Sequence, residues 1–144
     1  MKYTLVVTLD KNIEQVLTTI VNPENFNKWQ KTFVDYEVVS GVSGEKGCVT
    51  TLKYKSGKNI LSMKETLLSI DSPNKYSATY ETDTVWNQVD NHFHKLSEYK
   101  TQWTFDSHFK CQGWLRVMAK VMPFIFKSES RKAMKGFKDF IESA

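Results

Sequence analysis

The feature of this sequence that most constrains its fold is a run of six strand-like segments separated by short polar turns. The segments cover roughly residues 33–40, 47–55, 59–70, 75–82, 85–97 and 100–110. The breaks between them, such as Ser56-Gly57 and residues 71–74, have the composition of tight reversals. Because short connections join strands that are neighbours in space, the sequence predicts an antiparallel meander.

Three further elements precede the meander. Residues 2–9 alternate in polarity with the period of two that is typical of a half-buried strand. A helix is predicted over residues 12–21, where apolar residues recur at helical spacing. Asn22-Pro23 ends this helix, and Pro23 is a suitable first residue for a second short helix over residues 23–30. About seven strands and two short helices are therefore expected before the C-terminal segment.

The C-terminal segment, residues 113–143, is predicted to cover the sheet. Its second half has one stripe at helical spacing, formed by Phe126, Ser130, Met134, Phe137 and Ile141. Pro123 is expected to kink or divide the helix. A sheet with one apolar face needs a second layer, and no other element is long enough to supply it. The sequence thus predicts an α+β fold in which a curved sheet wraps around a long helix and leaves a cavity between them.

Composition indicates one ordinary domain spanning residues 1–144. Hydrophobic residues make up 40% and charged residues 25% of the chain, and the net charge is +4. The charge is modest, and the basic residues are spread along the chain except near the C-terminus, so no nucleic-acid partner is predicted. Too few apolar residues precede Asp10 for a signal peptide, which favours a cytoplasmic location. Cys48 and Cys111 are too few and too far apart for a disulfide framework or a zinc knuckle, so free thiols are expected.

Several stretches of the sequence resemble one superfamily when they are taken in order. They are NPENFNKWQ at 22–30, VVSGVSGEKG at 38–47, MKETLLSIDSPNKY at 63–76, TQWTF at 101–105, and the basic, aromatic terminal helix. Together they resemble the START-like (SRPBCC) superfamily, whose helix-grip fold is shared by polyketide cyclase/dehydrase-like proteins, the birch-pollen-allergen group and lipid-transfer domains. The resemblance implies this fold and an internal pocket over nearly the whole chain. It implies no single reaction, because the members range from lipid carriers to cyclases.

Candidate ligand-binding residues follow from strand alternation and from the aromatic and methionine side chains expected to face the cavity. They are Trp29, Tyr54, Met63, Glu65, Tyr80, Asn91, Trp103, Phe105, Met118 and Met122. Glu65 and Asn91 are informative, because an inward polar group must find a partner in protein, water or ligand. If Glu65 faces the pocket, burial should raise its pKa and make it a candidate acid or a ligand-orienting carboxyl group. The alternative is a structural carboxylate paired with a lysine or bonded to backbone at a bulge.

Two motifs resemble a metal site and a nucleotide site, but the residues around them argue against both interpretations. His92 and His94 would share one face of a strand, yet Phe93 and its apolar neighbours take the buried face and leave the histidines in solvent. The glycines of residues 41–47 lack the Gly-Lys-Ser/Thr ending of a phosphate loop and lead into a strand. We therefore predict no metal or cofactor, and we interpret the glycine-rich loop as part of the pocket mouth.

The segment from Trp114 to Phe126 combines apolar residues with basic ones. Its expected role is the start of the gripped helix. Three other roles stay open: a lid over the pocket, a contact in a homodimer, and a transient contact with a membrane.

The leading functional hypothesis is the binding or carriage of an apolar small molecule or lipid. The first alternative is an enzyme, either polyketide cyclase/dehydrase-like or a hydrolase, that uses Glu65 as an acid or base. The second is a membrane- or protein-docking module that uses the basic C-terminal helix. The sequence has no Gly-x-Ser-x-Gly elbow, which favours binding over catalysis without deciding the matter. An enzyme would bring titratable groups together at the cavity floor, whereas a carrier needs only shape and apolar walls.

Overall fold

A seven-stranded antiparallel sheet dominates the structure, a computed structural model that describes residues 1–121 and 124–143. Its strands are β1 (Lys2–Leu9), β2 (Phe33–Ser40), β3 (Val49–Ser56), β4 (Asn59–Asp71), β5 (Lys75–Glu81), β6 (Val85–Ser97) and β7 (Lys100–Cys111). Their order across the sheet is β1-β7-β6-β5-β4-β3-β2. The six later strands therefore form the predicted meander, and β1 adds to its far edge.

The helices lie where the sequence predicts them. They are α1 (Ile13–Ile20), a 3-10 turn (Pro23–Asn25), α2 (Phe26–Trp29), α3 (Trp114–Val121) and α4 (Phe124–Ser143). Asn12 caps α1, because its side-chain oxygen accepts a hydrogen bond from the backbone N–H of Glu14 at 2.8 Å. The C-terminal segment is divided into α3 and α4, and Pro123, the residue that predicts a division here, lies outside the described residues together with Met122. The curved sheet and long terminal helix confirm the helix-grip fold.

Helix α4 packs on the inner face of the sheet through the predicted apolar stripe. Met134, Phe137 and Ile141 are buried, and Phe137 has no exposed surface. The Phe137 ring centroid lies 5.3 Å from that of Trp29 and 5.6 Å from that of Trp103. The aromatic side chains of α2, α4 and β7 therefore meet in one cluster, which fills the space between the sheet and this part of α4.

Polar contacts join α4 to β1 along its length. The hydroxyls of Tyr3 and Ser130 lie 2.5 Å apart. Farther along, the Lys138 ammonium donates a hydrogen bond to the carbonyl oxygen of Thr8 at 2.8 Å. The backbone N–H of Asp10 donates to the Glu142 carboxylate at 2.7 Å. The first strand and the last helix thus form one unit.

The outer face of the sheet carries His92 and His94 of β6 and Asp106 of β7. The His92 imidazole lies 3.5 Å from the Asp106 carboxylate, which also accepts a hydrogen bond from the Thr4 hydroxyl at 2.6 Å. His94 is exposed. In the part of the chain that the structure describes, no three potential metal ligands come together. No helix within residues 1–121 and 124–143 has the length and apolar character needed to cross a membrane.

Candidate functional site

An internal cavity, here called the inner chamber, has a volume of about 60 Å³ and lies between the sheet and the segment that joins β1 to β2. Strands β3 to β5 form its floor, α1 and α2 form its roof, and the loop before β3 closes one side. The lining residues are Thr50, Leu52, Tyr54, Glu65, Leu67, Tyr76, Ala78 and Tyr80 on the floor, Ile20, Val21, Pro23, Phe26, Trp29 and Gln30 in the roof, and Ser43, Gly44 and Cys48 at the side.

Strand register brings the polar floor residues together. Glu65 on β4 pairs with Thr50 on β3 and with Tyr80 on β5, so the three side chains form a row across the sheet. Cross-strand partners project on the same face, and Glu65 therefore points toward the roof with its neighbours. Ala78 leaves room beside this row because its side chain is a single methyl group.

Burial dominates the electrostatics of the inner chamber. Desolvation raises the pKa of Glu65 above its ordinary value, and the adjacent Tyr80 hydroxyl offsets part of that rise. The pKa values of Tyr54, Tyr76 and Tyr80 are also raised, first by burial and then by the negative charge that Glu65 would carry. Among the described residues that line the chamber, none is Lys, Arg or His. Glu65 thus faces three phenols and no cation, which favours its neutral form.

The raised pKa of Glu65 predicts how stability depends on pH. Well below the ordinary pKa of 4.5, Glu65 is protonated in both the folded and the unfolded chain and contributes little to the pH dependence. Above that value the unfolded chain loses the proton first, and the free energy of unfolding falls until the folded-state pKa is passed. We therefore expect Glu65→Gln to be more stable than the wild type at pH 7 by a margin larger than at pH 4. Urea unfolding at both pH values measures this margin, and an equal margin would contradict the raised pKa.

Trp29, in the roof of the chamber, carries an unpaired hydrogen-bond donor. Its Nε1 atom is buried and has no hydrogen-bond partner within the described protein. The indole of Trp103, which is buried, behaves differently, because its Nε1 donates a hydrogen bond to the Asn91 side-chain oxygen at 2.9 Å. Buried polar groups are nearly always paired, so an unpaired one next to a cavity calls for a water or a ligand. We infer that the partner of the Trp29 N–H comes from the chamber.

The two tryptophans provide a matched pair of substitutions. Trp103→Phe leaves the buried Asn91 without its partner, and we expect it to lower the free energy of unfolding by about 1–3 kcal/mol more than Trp29→Phe does. Trp29→Phe breaks no hydrogen bond within the protein and removes only part of a ring. Chemical unfolding of both variants measures the difference. Equal losses would mean that the Trp103–Asn91 bond contributes nothing net.

A second cavity adjoins the inner chamber on the solvent side. This vestibule has a volume of about 330 Å³ and is lined by Leu17, Thr18, Val21, Asn22, Pro23, Ser43, Gly44, Ile70 and Ser72. It shares Val21, Pro23, Ser43 and Gly44 with the chamber. Gly44 has a φ of +82°, a conformation that glycine adopts without strain. The glycine-rich loop therefore borders both cavities, at the position expected for the pocket mouth.

The structure brings some of the predicted ligand-binding residues together and leaves others apart. Trp29, Tyr54, Glu65 and Tyr80 line the inner chamber. Met63, Asn91, Trp103, Phe105 and Met118 line neither cavity, and Met122 lies outside the described residues. The main reason is that the sequence predicts a cavity between the sheet and the C-terminal helix, and the cavity lies elsewhere. Phe137 occupies that space, and the cavity lies under α1 and α2 instead.

The predicted set also omits residues that the structure places in the chamber. Tyr76 has the same strand parity as Tyr80, a signal that could have included it. Thr50 pairs directly with Glu65 and could have been found from the register of one hairpin. The roof residues Ile20, Val21 and Phe26 carry no such signal, because their place over the sheet depends on how α1 and α2 fold back.

Helix α3 and the start of α4 present an exposed apolar surface. Trp114 is 69% exposed, and Val117 and Phe124 are each 63% exposed. The described residues of this segment line neither cavity, so nothing in the geometry supports a lid. The membrane-contact and homodimer hypotheses for this surface stay predictions.

Comparison with known proteins identifies the family. A family model described as "Polyketide cyclase / dehydrase and lipid transport" matches residues 1–142. The chain belongs to this family. No protein of curated function matches the sequence. The family and the fold are consistent with the binding of hydrophobic molecules.

Solved structures of the same fold have distant sequences. Ara h 8.0201 is 14% identical with a TM-score of 0.80, and the alignment covers 100% of this chain and 99% of that one. A START superfamily protein from Mycobacterium smegmatis is 9% identical with a TM-score of 0.73, with coverage of 96% and 97%. The di-domain ARO/CYC BexL from the BE-7585A biosynthetic pathway is 11% identical with a TM-score of 0.82, over 99% of this chain and 46% of BexL. At these identities the likeness establishes the fold alone.

Proposed function

We propose that this member of the family binds a small, mostly apolar molecule whose polar head group lies in the inner chamber and whose apolar body lies in the vestibule. The observation that carries the proposal is the position of Glu65. Its carboxyl group lies at the floor of a chamber that adjoins a larger cavity open to solvent. A buried carboxyl group facing phenols and no cation has little structural value, because burying it costs free energy that no ion pair offsets.

Cavity size supports a small ligand over a whole lipid. The chamber alone, at about 60 Å³, accommodates a head group or a few waters. Chamber and vestibule together reach the lower end of the range of small-molecule sites, which is about 300–1,000 Å³. A molecule with one ring and a short chain matches this volume.

Filling the inner chamber tests the proposal. Ala78→Leu adds three carbons at the chamber floor, whereas Ala133→Leu adds the same atoms on the exposed surface of α4. Calorimetric titration with p-butylphenol should show binding to the wild type and to Ala133→Leu, and at least about tenfold weaker binding to Ala78→Leu. Circular dichroism of both variants checks the fold. No binding to the wild type, or equal binding to both variants, would refute a ligand site in the chamber.

Proton-transfer catalysis is the second candidate function. The observation that favours it is the convergence of titratable groups on the floor, where Glu65 lies against Tyr80 and near Tyr54 and Tyr76. A carboxyl group with a raised pKa is suited to exchange protons near neutral pH. In this role the ionised fraction of Glu65 would take a proton from a carbon next to a ketone. The carboxyl group so formed would exchange its proton with solvent and return one to the same carbon of the enolate.

Benzylacetone dissolved in deuterium oxide is a suitable probe for this second function. Catalysis by Glu65 would speed the exchange of the protons beside its carbonyl group, which proton NMR follows directly. Glu65→Gln should then reduce the exchange rate to the buffer rate with the fold intact. If the wild type already exchanges at the buffer rate, the chamber does not catalyse this proton transfer.

A further inference from the structure

The inner chamber offers hydrogen-bond donors and acceptors but no positive charge. Glu65 is the one acidic residue among the described lining residues, and the other polar side chains there are uncharged: Gln30, Ser43, Cys48, Thr50, three tyrosines and the Trp29 indole. The charge pattern of a pocket restricts the head groups that it accepts. A head group must match the donors and acceptors that remain free.

An anionic head group does not match this chamber. Carboxylate and phosphate groups need cationic or multiple N–H partners when they leave water. No Lys or Arg is present among the described lining residues, and Glu65 would add a like charge or at best a neutral carboxyl group. Fatty-acid and phospholipid head groups are therefore disfavoured.

A cationic head group could pair with Glu65 but not with the Trp29 N–H. Glu65 could serve as its counter-ion, but desolvation favours the protonated, neutral carboxyl group. The free N–H of Trp29 is a donor, and an ammonium group has no lone pair to accept it. Binding an ammonium group would leave that donor unpaired.

A hydroxyl group meets both requirements, because it accepts one hydrogen bond and donates another. Building on the proposed function, we propose that the chamber selects an uncharged hydroxyl head group, that of an alcohol or a phenol, with Trp29 Nε1 as donor to it and the Glu65 carboxyl group as its acceptor. The ligand class is thus an apolar alcohol or phenol. The chamber discriminates against the corresponding carboxylates and amines.

A matched ligand series tests this selection on the intact protein. The probes are p-butylphenol, p-butylbenzoate, p-butylbenzylamine and butylbenzene, which have the same apolar body and differ in the head group. We expect p-butylphenol to bind about tenfold more tightly than butylbenzene. We expect p-butylbenzoate to bind more weakly than butylbenzene, because its charge loses water without gaining a cationic partner. Calorimetry or ligand-observed NMR gives the four affinities.

Two tryptophan variants test whether Trp29 donates a hydrogen bond to the ligand hydroxyl group. Trp29→Phe keeps an aromatic ring in the roof but removes the N–H, and it should reduce the preference for p-butylphenol over butylbenzene by about fivefold. Trp114→Phe makes the same change on the exposed surface of α3 and should leave the preference unchanged. If Trp29→Phe weakens the binding of p-butylphenol and of butylbenzene by the same factor, Trp29 contributes only to the shape of the chamber, and its proposed role as hydrogen-bond donor is wrong.

The four affinities separate the failure of hydroxyl selection from the failure of the proposed function. Tightest binding of the benzoate or the benzylamine, or equal binding of phenol and butylbenzene, would overturn hydroxyl selection and leave the ligand site in place. Binding of none of the four probes would overturn both. Tightest binding of p-butylphenol, with the preference reduced in Trp29→Phe, would support both.

Discussion

Replacing Phe137 with alanine is expected to lower the free energy of unfolding by about 3–5 kcal/mol. The side chain is fully buried, and its ring meets those of Trp29, Trp103 and Phe140. Its removal leaves a cavity that those rigid rings fill poorly, so the loss includes a cavity cost as well as lost burial. Urea unfolding followed by circular dichroism measures the change.

Phe124→Ala is the control for this experiment. Phe124 begins the same helix but is 63% exposed, so we expect its truncation to change stability by less than about 0.5 kcal/mol. A loss under about 1 kcal/mol in Phe137→Ala would mean that the aromatic cluster collapses around the gap. In that case α4 would not be held to the sheet through this residue.

Gly136→Ala is expected to destabilise the protein although it should improve the helix. Alanine in a helix interior is normally favoured over glycine by about 1 kcal/mol. At Gly136, however, a Cβ atom would lie 2.5 Å from the carbonyl oxygen of Trp29, a contact with backbone that no rotamer relieves. We expect a net loss of about 2 kcal/mol, together with a shift of α2 that disturbs the chamber roof.

Ala133→Gly calibrates the helix contribution in the same experiment. Ala133 is exposed on α4, so its replacement should cost about 1 kcal/mol through helix propensity alone. Stabilisation by Gly136→Ala would contradict the close approach of α4 to α2. A second readout is the affinity for p-butylphenol, which should fall in Gly136→Ala and stay unchanged in Ala133→Gly.

The fold could be predicted because its signals are local. Polar turns at short intervals determine a meander, and the apolar stripe of α4 has one compatible surface to cover. Strand ends differ by up to two residues: β3 begins at Val49 rather than at residue 47. The strand begins later because Gly47 has a φ of +89°, which is outside the extended region, and the N–H of Cys48 donates a hydrogen bond to the Glu45 carbonyl within the loop.

The candidate site could be predicted only in part. Strand parity indicates that Glu65, Tyr54 and Tyr80 face inward, since alternation is a local property. It does not indicate which part of the inner face stays open. That depends on Phe137, whose ring comes from a helix far along the chain and occupies the space under α4. Likewise, no local pattern marks Gly136 as the point where two helices touch.

The position of β1 at the far edge of the sheet has a consequence for synthesis on the ribosome. The partner of Lys2–Leu9 is residues 101–108 of β7, and the other surface of this strand is fastened to α4. Strand β1 must therefore wait until β7 has been synthesised, whereas each strand of the meander pairs with the strand next to it in sequence. Until then its alternating apolar face lacks its native cover, and a chaperone that binds extended segments would find its target at residues 2–9.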